Sequence, residues 1–159
     1  MEYAPYPSGY QLVDLKREKR VFALESFQQM TGLILYYDTE DYVYLRITHV
    51  EEQGRVLGII QTIRGNYDEL LAQDLSLPSS GPIRLKAAVC RDCLHFFYAL
   101  GGSDWQSIGV KINILHLADE ASDLLRFTGT FVGVCVQDLG GTRRHADFDY
   151  FIYREIAPK

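Results

Sequence analysis

Apolar and polar residues alternate with a period of two along most of this chain, in runs of roughly five to ten positions broken by turn residues, which is the pattern of half-buried strands. Leu33, Leu35 and Tyr37 alternate with Gly32, Ile34 and Tyr36; Asp38 to Asp41 then predicts a turn; Val43, Leu45 and Ile47 alternate with Tyr44, Arg46 and Thr48 and complete a hairpin. A second turn at Glu51 to Gly54 leads into a strand over Val56 to Ile63. Further on, Cys93 to Leu100 predicts a strand, Gly101 to Asp104 a turn, and Trp105 to Ile108 and Lys111 to Leu115 two short strands. The longest signal runs from Phe127 to Tyr153 as two strands joined at Gly140-Gly141. In the first of them Thr128, Thr130, Val132, Val134 and Val136 share a β-branched face suited to a core. The opposite face carries Phe127, Gly129, Phe131, Gly133, Cys135 and Gln137, and its glycines leave bare backbone where a sheet bends or another surface approaches. Helical periodicity is confined to Asn66 to Gln73 and Ala118 to Leu125, about two turns each. Many strands at regular spacing with turn signals between them predict an all-β, antiparallel two-sheet β-sandwich with very little helix.

The first residues, with Pro5, Pro7, Gly9 and three tyrosines, suit an arm on the surface and not a central strand, so residues 1–12 are read as an N-terminal arm and 13–159 as a single domain. The proline- and serine-rich run from Leu77 to Pro82 is a loop, because neither side of it alone carries enough strands to close a sandwich. A formal charge of -5 argues against a nucleic-acid surface, and the one basic cluster, Lys16 to Arg20, reads as a solvated strand or turn. No apolar run approaches the ~20 residues that cross a bilayer, and the N-terminus lacks the basic-then-apolar pattern of a signal peptide. A cytoplasmic chain with no membrane partner is expected, and three cysteines, an odd number, agree with a reducing compartment.

Candidate chemistry is sparse. Cys90 and Cys93 form a CxxC, which invites a redox or a zinc reading, but the second pair that a zinc site needs is absent, and the flanking strand patterns favour a plain hairpin turn at Arg91 and Asp92. His49, His95, His116 and His145 lie on separate segments at no metal spacing; His95 shares a strand face with Phe97. Asp147 and Asp149 would lie about 7 Å apart on a strand, within the carboxyl separation of inverting glycosidases. Side chains at i and i+2 project the same way, however, whereas those carboxyls must straddle the scissile bond. Their expected role is to bind loop amides, with a structural calcium site as the alternative and no other cofactor. Trp105, after a glycine turn, is expected to plug the end of the sandwich.

Several blocks, taken in order, resemble a known family. FQQMTGLILYY (Phe27 to Tyr37), Thr39-Glu40, the turn Glu52 to Leu57, the stretch Tyr98 to Trp105 with its glycine turn, FTGTFVG from Phe127, Cys135 to Asp138 and ADFDYF from Ala146 are similar to the C-terminal concanavalin A-like sandwich of glycoside hydrolase family 43 β-xylosidases. The resemblance covers about Phe22 to Glu155. It implies a jelly-roll sandwich that packs against a five-bladed catalytic β-propeller and lends it a loop and an aromatic side chain to close the sugar pocket. At four strands per blade, a propeller needs on the order of 200 residues or more, so this chain holds none of it. The implied function is that of a non-catalytic accessory domain in xylan or arabinoxylan oligosaccharide degradation, acting beside that propeller, with xylo-oligosaccharide as the candidate sugar. A free-standing lectin-like module and a purely oligomerising sandwich are the alternatives.

By the same resemblance the pocket-closing element lies at Ala118 to Phe127. Relatives commonly read Gly-Phe-Phe-Thr-Gly-Ala there and this chain reads Leu125-Arg126-Phe127-Thr128-Gly129-Thr130. Phe127 is then the candidate to stack on a pyranose and Arg126 to hydrogen-bond its hydroxyls. Gln28, Gln29, Tyr36 and Tyr44 are the candidates for a docking or sugar surface, docking being favoured. Only Gln11 to Glu25 is available for the strand that family members carry before the FQQM block, so an incomplete sheet edge and a homodimer are expected.

Overall fold

The computed structural model describes residues 11–16 as backbone, and 24–118 and 129–155 in full. Two antiparallel sheets face one another. The first has the order β11-β1-β7-β8-β9, from Tyr150–Glu155 (β11), Gln11–Lys16 (β1), Ile83–Cys90 (β7), Cys93–Leu100 (β8) and Gln106–Asn113 (β9). The second has the order β10-β2-β3-β4-β5, from Phe131–Asp138 (β10), Gln29–Tyr36 (β2), Tyr42–Val50 (β3), Gly54–Ile63 (β4) and Asn66–Glu69 (β5), with the two-residue Leu75–Ser76 (β6) also pairing with β4. One 3₁₀ turn, Leu115–Leu117, is the only helical element among the described residues. The expected sandwich is thus the observed one.

Alternation builds the core. Leu33, Leu35, Val43, Leu45, Leu57 and Ile59 point inward from the second sheet and meet Leu85, Ala87, Leu94, Phe96 and Ile112 from the first. Each fully buried Leu or Phe contributes about 2–3 kcal/mol relative to leaving it in water.

Local chemistry sets the turns. Asp38 Oδ1 accepts from the N–H groups of Glu40 (2.8 Å) and Asp41 (2.9 Å), which closes the β2–β3 turn. The buried Asp41 carboxylate accepts from the Arg64 N–H at 2.9 Å, so this turn also holds the neighbouring β4–β5 turn, where Arg64 and Gly65 take φ of 50° and 78°. Cys90 pairs directly with Cys93 across the two-residue Arg91-Asp92 turn, as the sequence predicts.

Other expectations are corrected. Asn66 to Glu69 is a strand and not a helix; all four residues are exposed, so no alternation marks them, and pairing with Ile60 to Ile63 supplies the order. Residues 119–125 of the second helix candidate, like residues 1–10 of the expected arm, lie outside the described residues. Strand β1 starts at Gln11, inside the range read as an arm, and sits between β11 and β7, so the N-terminal segment fills an interior place in its sheet and the incomplete edge that motivated a homodimer is not found there. Residues 143–148 are irregular and β11 begins only at Tyr150, so Asp147 and Asp149 do not share a strand face. Within β10, Val132 packs on the core while Val134 and Val136 remain 41% and 39% exposed, because β10 is the rim of its sheet. Trp105 plugs no end: it lies on the outer face of the first sheet beside Ala88 and Phe97, with Arg84 and Lys86 each 4.7 Å from its ring centre.

Candidate functional site: an aromatic cleft on the outer sheet face

Pairing register places a row of side chains across the outer face of the second sheet. Phe131 stands opposite Tyr36, Tyr36 opposite Tyr42, Tyr42 opposite Thr62 and Thr62 opposite Tyr67, so one residue from each of five strands falls in line. Phe131 is 62% exposed and Tyr67 57%. Tyr36 and Tyr42 stack with ring centres 6.3 Å apart at 27°. Beside this row, over β10 and β2, lies a cleft of about 530 Å³ whose wall is Phe131, Tyr36 and Tyr42, whose floor includes Ile34 and Gly133, and whose far end reaches Gln137. The bare backbone at Gly133 is open: a Cβ placed there meets nothing within 4 Å.

Tyr44 underpins the cleft. Its ring is buried, and its hydroxyl crosses over β2 to donate to the Cys135 carbonyl at 3.1 Å. Burial, more than any neighbour, holds this phenol far above its ordinary range, and burial also pushes the Cys135 thiol up. Gly32, the residue of β2 beneath this crossing, tolerates no side chain, since a Cβ would come within 2.0 Å of the Leu45 carbonyl oxygen.

Next to the row is an ion cluster. The buried Arg46 guanidinium lies 3.1 Å from Glu69 and 3.6 Å from Asp74, and Asp74 in turn packs over Gly58. Burial raises the Asp74 carboxyl and Arg46 opposes the shift. Tyr67 donates to Glu69 at 2.6 Å and is pushed up to about 12, by burial first and the Glu69 bond second. Among the described residues no carboxylate lines the cleft, and no three His, Cys, Asp or Glu side chains are grouped to hold a metal ion.

The four surface candidates divide. Tyr36 is part of the cleft wall and Gln28 is exposed. Gln29 is 2% exposed and its amide is spent on structure: Oε1 accepts from the Glu25 N–H at 2.9 Å, and Nε2 donates to Thr142 at 2.8 Å. Tyr44 lines the cleft from beneath and, at 1% exposure, acts there chiefly as a support. Arg126 and Phe127 lie outside the described residues. Among the described residues the carboxylate that binds loop amides is Asp138: it accepts from the N–H groups of Gly140 and Arg144 and from the Thr142 hydroxyl, and these bonds, the Arg144 amide first, hold it below the usual carboxylate range. Sequence reasoning missed Phe131, Tyr42 and Tyr67 as a set, because their alignment is a property of register across strands and appears in no single run.

Comparison with known proteins agrees with this architecture. Residues 20–154 match the family of the β-xylosidase C-terminal concanavalin A-like domain. A β-xylosidase of Bacillus subtilis is 34% identical over 139 residues, 84% of this chain and 26% of that protein. A xylan 1,3-β-xylosidase of a Vibrio species is 34% identical over 128 residues, 80% of this chain and 24% of that protein. The solved structure of xylan β-1,4-xylosidase from Bacillus halodurans superposes with a TM-score of 0.86 at 47% identity, over 92% of this chain and 28% of that one. The chain therefore spans about a quarter of the relatives it matches. A two-sheet sandwich matched over nearly its whole length to one end of such proteins belongs to the family of β-xylosidase C-terminal concanavalin A-like domains.

Proposed function

We propose that this domain is the non-catalytic accessory part of a family 43 glycoside hydrolase system, packing on a catalytic β-propeller and helping to close its sugar pocket during breakdown of xylan- or arabinoxylan-derived oligosaccharides. The observation that carries the reading is the family match over residues 20–154 in a chain only a quarter as long as its relatives, so that the other three quarters of such proteins is what the domain works beside. Relatives named for β-1,3 and for β-1,4 xylosidic bonds both resemble it, which ties the domain to xylosides more than to one linkage. Glycoside hydrolysis uses a carboxyl pair flanking the bond, and the described residues that line the cleft include no such pair. The test is an aryl β-xyloside assay on the purified chain, on a family 43 propeller expressed without its sandwich, and on the two together. The chain alone gives no turnover and the mixture gives a higher kcat/KM than the propeller alone; release of xylose by the chain by itself refutes the reading. A cytoplasmic location belongs to the same proposal and is read by cell fractionation.

The cleft supports a second reading, that the domain holds a stretch of xylo-oligosaccharide itself. Its volume of about 530 Å³ falls in the range of ~300–1,000 Å³ typical of small-molecule sites, and its concave aromatic wall suits a sugar better than a flat protein surface. Calorimetric titration of the chain with xylo-oligosaccharide tests it, with Phe131→Ala and Tyr36→Ala each expected to weaken binding several-fold. Equal affinity in both variants and the parent removes the cleft from consideration.

A further inference from the structure

The β7–β8 turn carries a feature unconnected with the cleft. Cys90 and Cys93 are the last paired residues before a two-residue turn, so their side chains leave the same face of the sheet. Directly paired strand residues have Cα atoms roughly 5.5 Å apart, inside the window of about 4.4–6.8 Å that a disulfide spans. Both are free thiols, Cys93 buried and Cys90 half-exposed. His95, two residues on and on the same face, brings Nε2 to 3.2 Å from Cys93 Sγ. Burial first and the neighbouring Lys111 second hold the His95 imidazole below its ordinary value, which favours the neutral ring, and burial raises the Cys93 thiol beside it. Arg91 in the turn takes φ of 56°, which fixes a tight reversal in a non-glycine residue.

We propose that Cys90 and Cys93 are a redox-active dithiol that exchanges with low-molecular-weight disulfides to close a reversible bond across the β7–β8 turn, with His95 as the proton acceptor for Cys93. The Cys90 thiolate attacks one sulfur of the small disulfide, forming a mixed disulfide and expelling one thiolate. Cys93, passing its proton to His95, then attacks the Cys90 sulfur, forms the Cys90–Cys93 bond and expels the second thiolate. The protein dithiol is oxidised by two electrons and the small disulfide is reduced to two thiols. Closing the bond draws paired Cβ atoms below their usual cross-strand separation, and a strained disulfide is easily reduced. A loop this short gains least from cross-linking, so the bond acts as a sensor of the thiol pool and not as a staple. Cys135, on the opposite sheet under the Tyr44 hydroxyl, is the internal control. Trp105 packs against the same small cluster as Cys90 and is the chain's single tryptophan, so its fluorescence reports closure.

The full chain is equilibrated with mixtures of oxidised and reduced glutathione and followed by thiol titration, intact mass and tryptophan fluorescence. The expected result is joint loss of two thiols, a mass lower by about 2 Da, quenching of Trp105, and reversal by a dithiol reductant. Cys93→Ser is expected to stop at a glutathione adduct on Cys90, and Cys90→Ser to do nothing. His95→Gln slows conversion of the adduct to the internal disulfide while adduct formation keeps its rate. Retention of all three thiols at full oxidation, or a stable adduct on the parent protein, overturns the proposal; unchanged closure in His95→Gln overturns the role given to that residue.

Discussion

Two glycines on the same outer sheet face should respond in opposite ways to the same added methyl group. At Gly32 a Cβ falls 2.0 Å from the Leu45 carbonyl oxygen and 3.2 Å from the Arg46 Cα, both backbone atoms of the adjacent strand. Relief requires β2 and β3 to part by about an ångström in the middle of the sheet, at the position where Arg46 and Tyr44 are also packed. Overpacking of this kind costs about 3 kcal/mol, and for a domain of this size that lowers Tm by roughly 6–12 °C. At Gly133 a Cβ meets nothing within 4 Å, and the backbone is ordinary strand. There the loss of unfolded-state freedom stabilises by about 0.4–1 kcal/mol, while the methyl group rises from the cleft floor. Gly32→Ala should therefore melt well below the parent. Gly133→Ala should melt at or slightly above it and yet bind xylo-oligosaccharide more weakly, if the cleft is the sugar site. Thermal unfolding followed by circular dichroism, with urea titration at fixed temperature as a check, measures both. Equal stability of Gly32→Ala and the parent, or a Gly133→Ala variant that loses more than about 2 kcal/mol, refutes the steric account.

Arg46→Met removes the partner of the half-buried Asp74 carboxylate and should cost about 1–3 kcal/mol, with Asp74→Asn in the same background restoring part of it in chemical denaturation. Because burial already raises the Asp74 carboxyl in the fold, its contribution favours the native state at acid pH and is lost as pH rises through the folded value, so the Arg46→Met defect is largest near neutrality and shrinks toward pH 4. Asp138 has the opposite sign: its folded value lies below the ordinary 3.8, so its loop bonds stabilise above that pH and are lost below it, and Asp138→Asn should flatten the acid limb of a stability-versus-pH curve. Tyr44→Phe leaves the Cys135 carbonyl without its phenol donor and should cost about 1–2 kcal/mol in urea unfolding.

Hairpins were the part of this fold most legible in the sequence, because their causes are local. Asp38 to Asp41, Glu51 to Gly54 and Arg91-Asp92 each carry residues suited to turns, and alternation on either side fixes which face is buried. Elements whose order comes only from a neighbour were illegible. Asn66 to Glu69 is exposed throughout and shows no period of its own, and β1 takes its place between β7 and β11 by long-range pairing that no short run of sequence encodes. In β10 the alternation gave the correct faces but not what covers them, so Val134 and Val136 read as core although they sit on a rim strand. The cleft shows the same divide. Tyr36 and Tyr44 stood out as tyrosines of one hairpin, but only register across five strands brings Phe131 and Tyr67 into line with Tyr36, and only depth separates the wall residue Tyr36 from its buried support Tyr44.

A phenol buried on the outer face of its sheet that reaches past one strand to grip the outermost one behaves as a tie-beam. Prising β10 away from β2 to admit a bulky occupant breaks the grip of Tyr44 along with the strand ladder, so the mouth of the cleft is as hard to deform as the layer beneath it. What enters must already have the right shape, and the β10 amides that pair with β2 should exchange more slowly in the parent than in Tyr44→Phe.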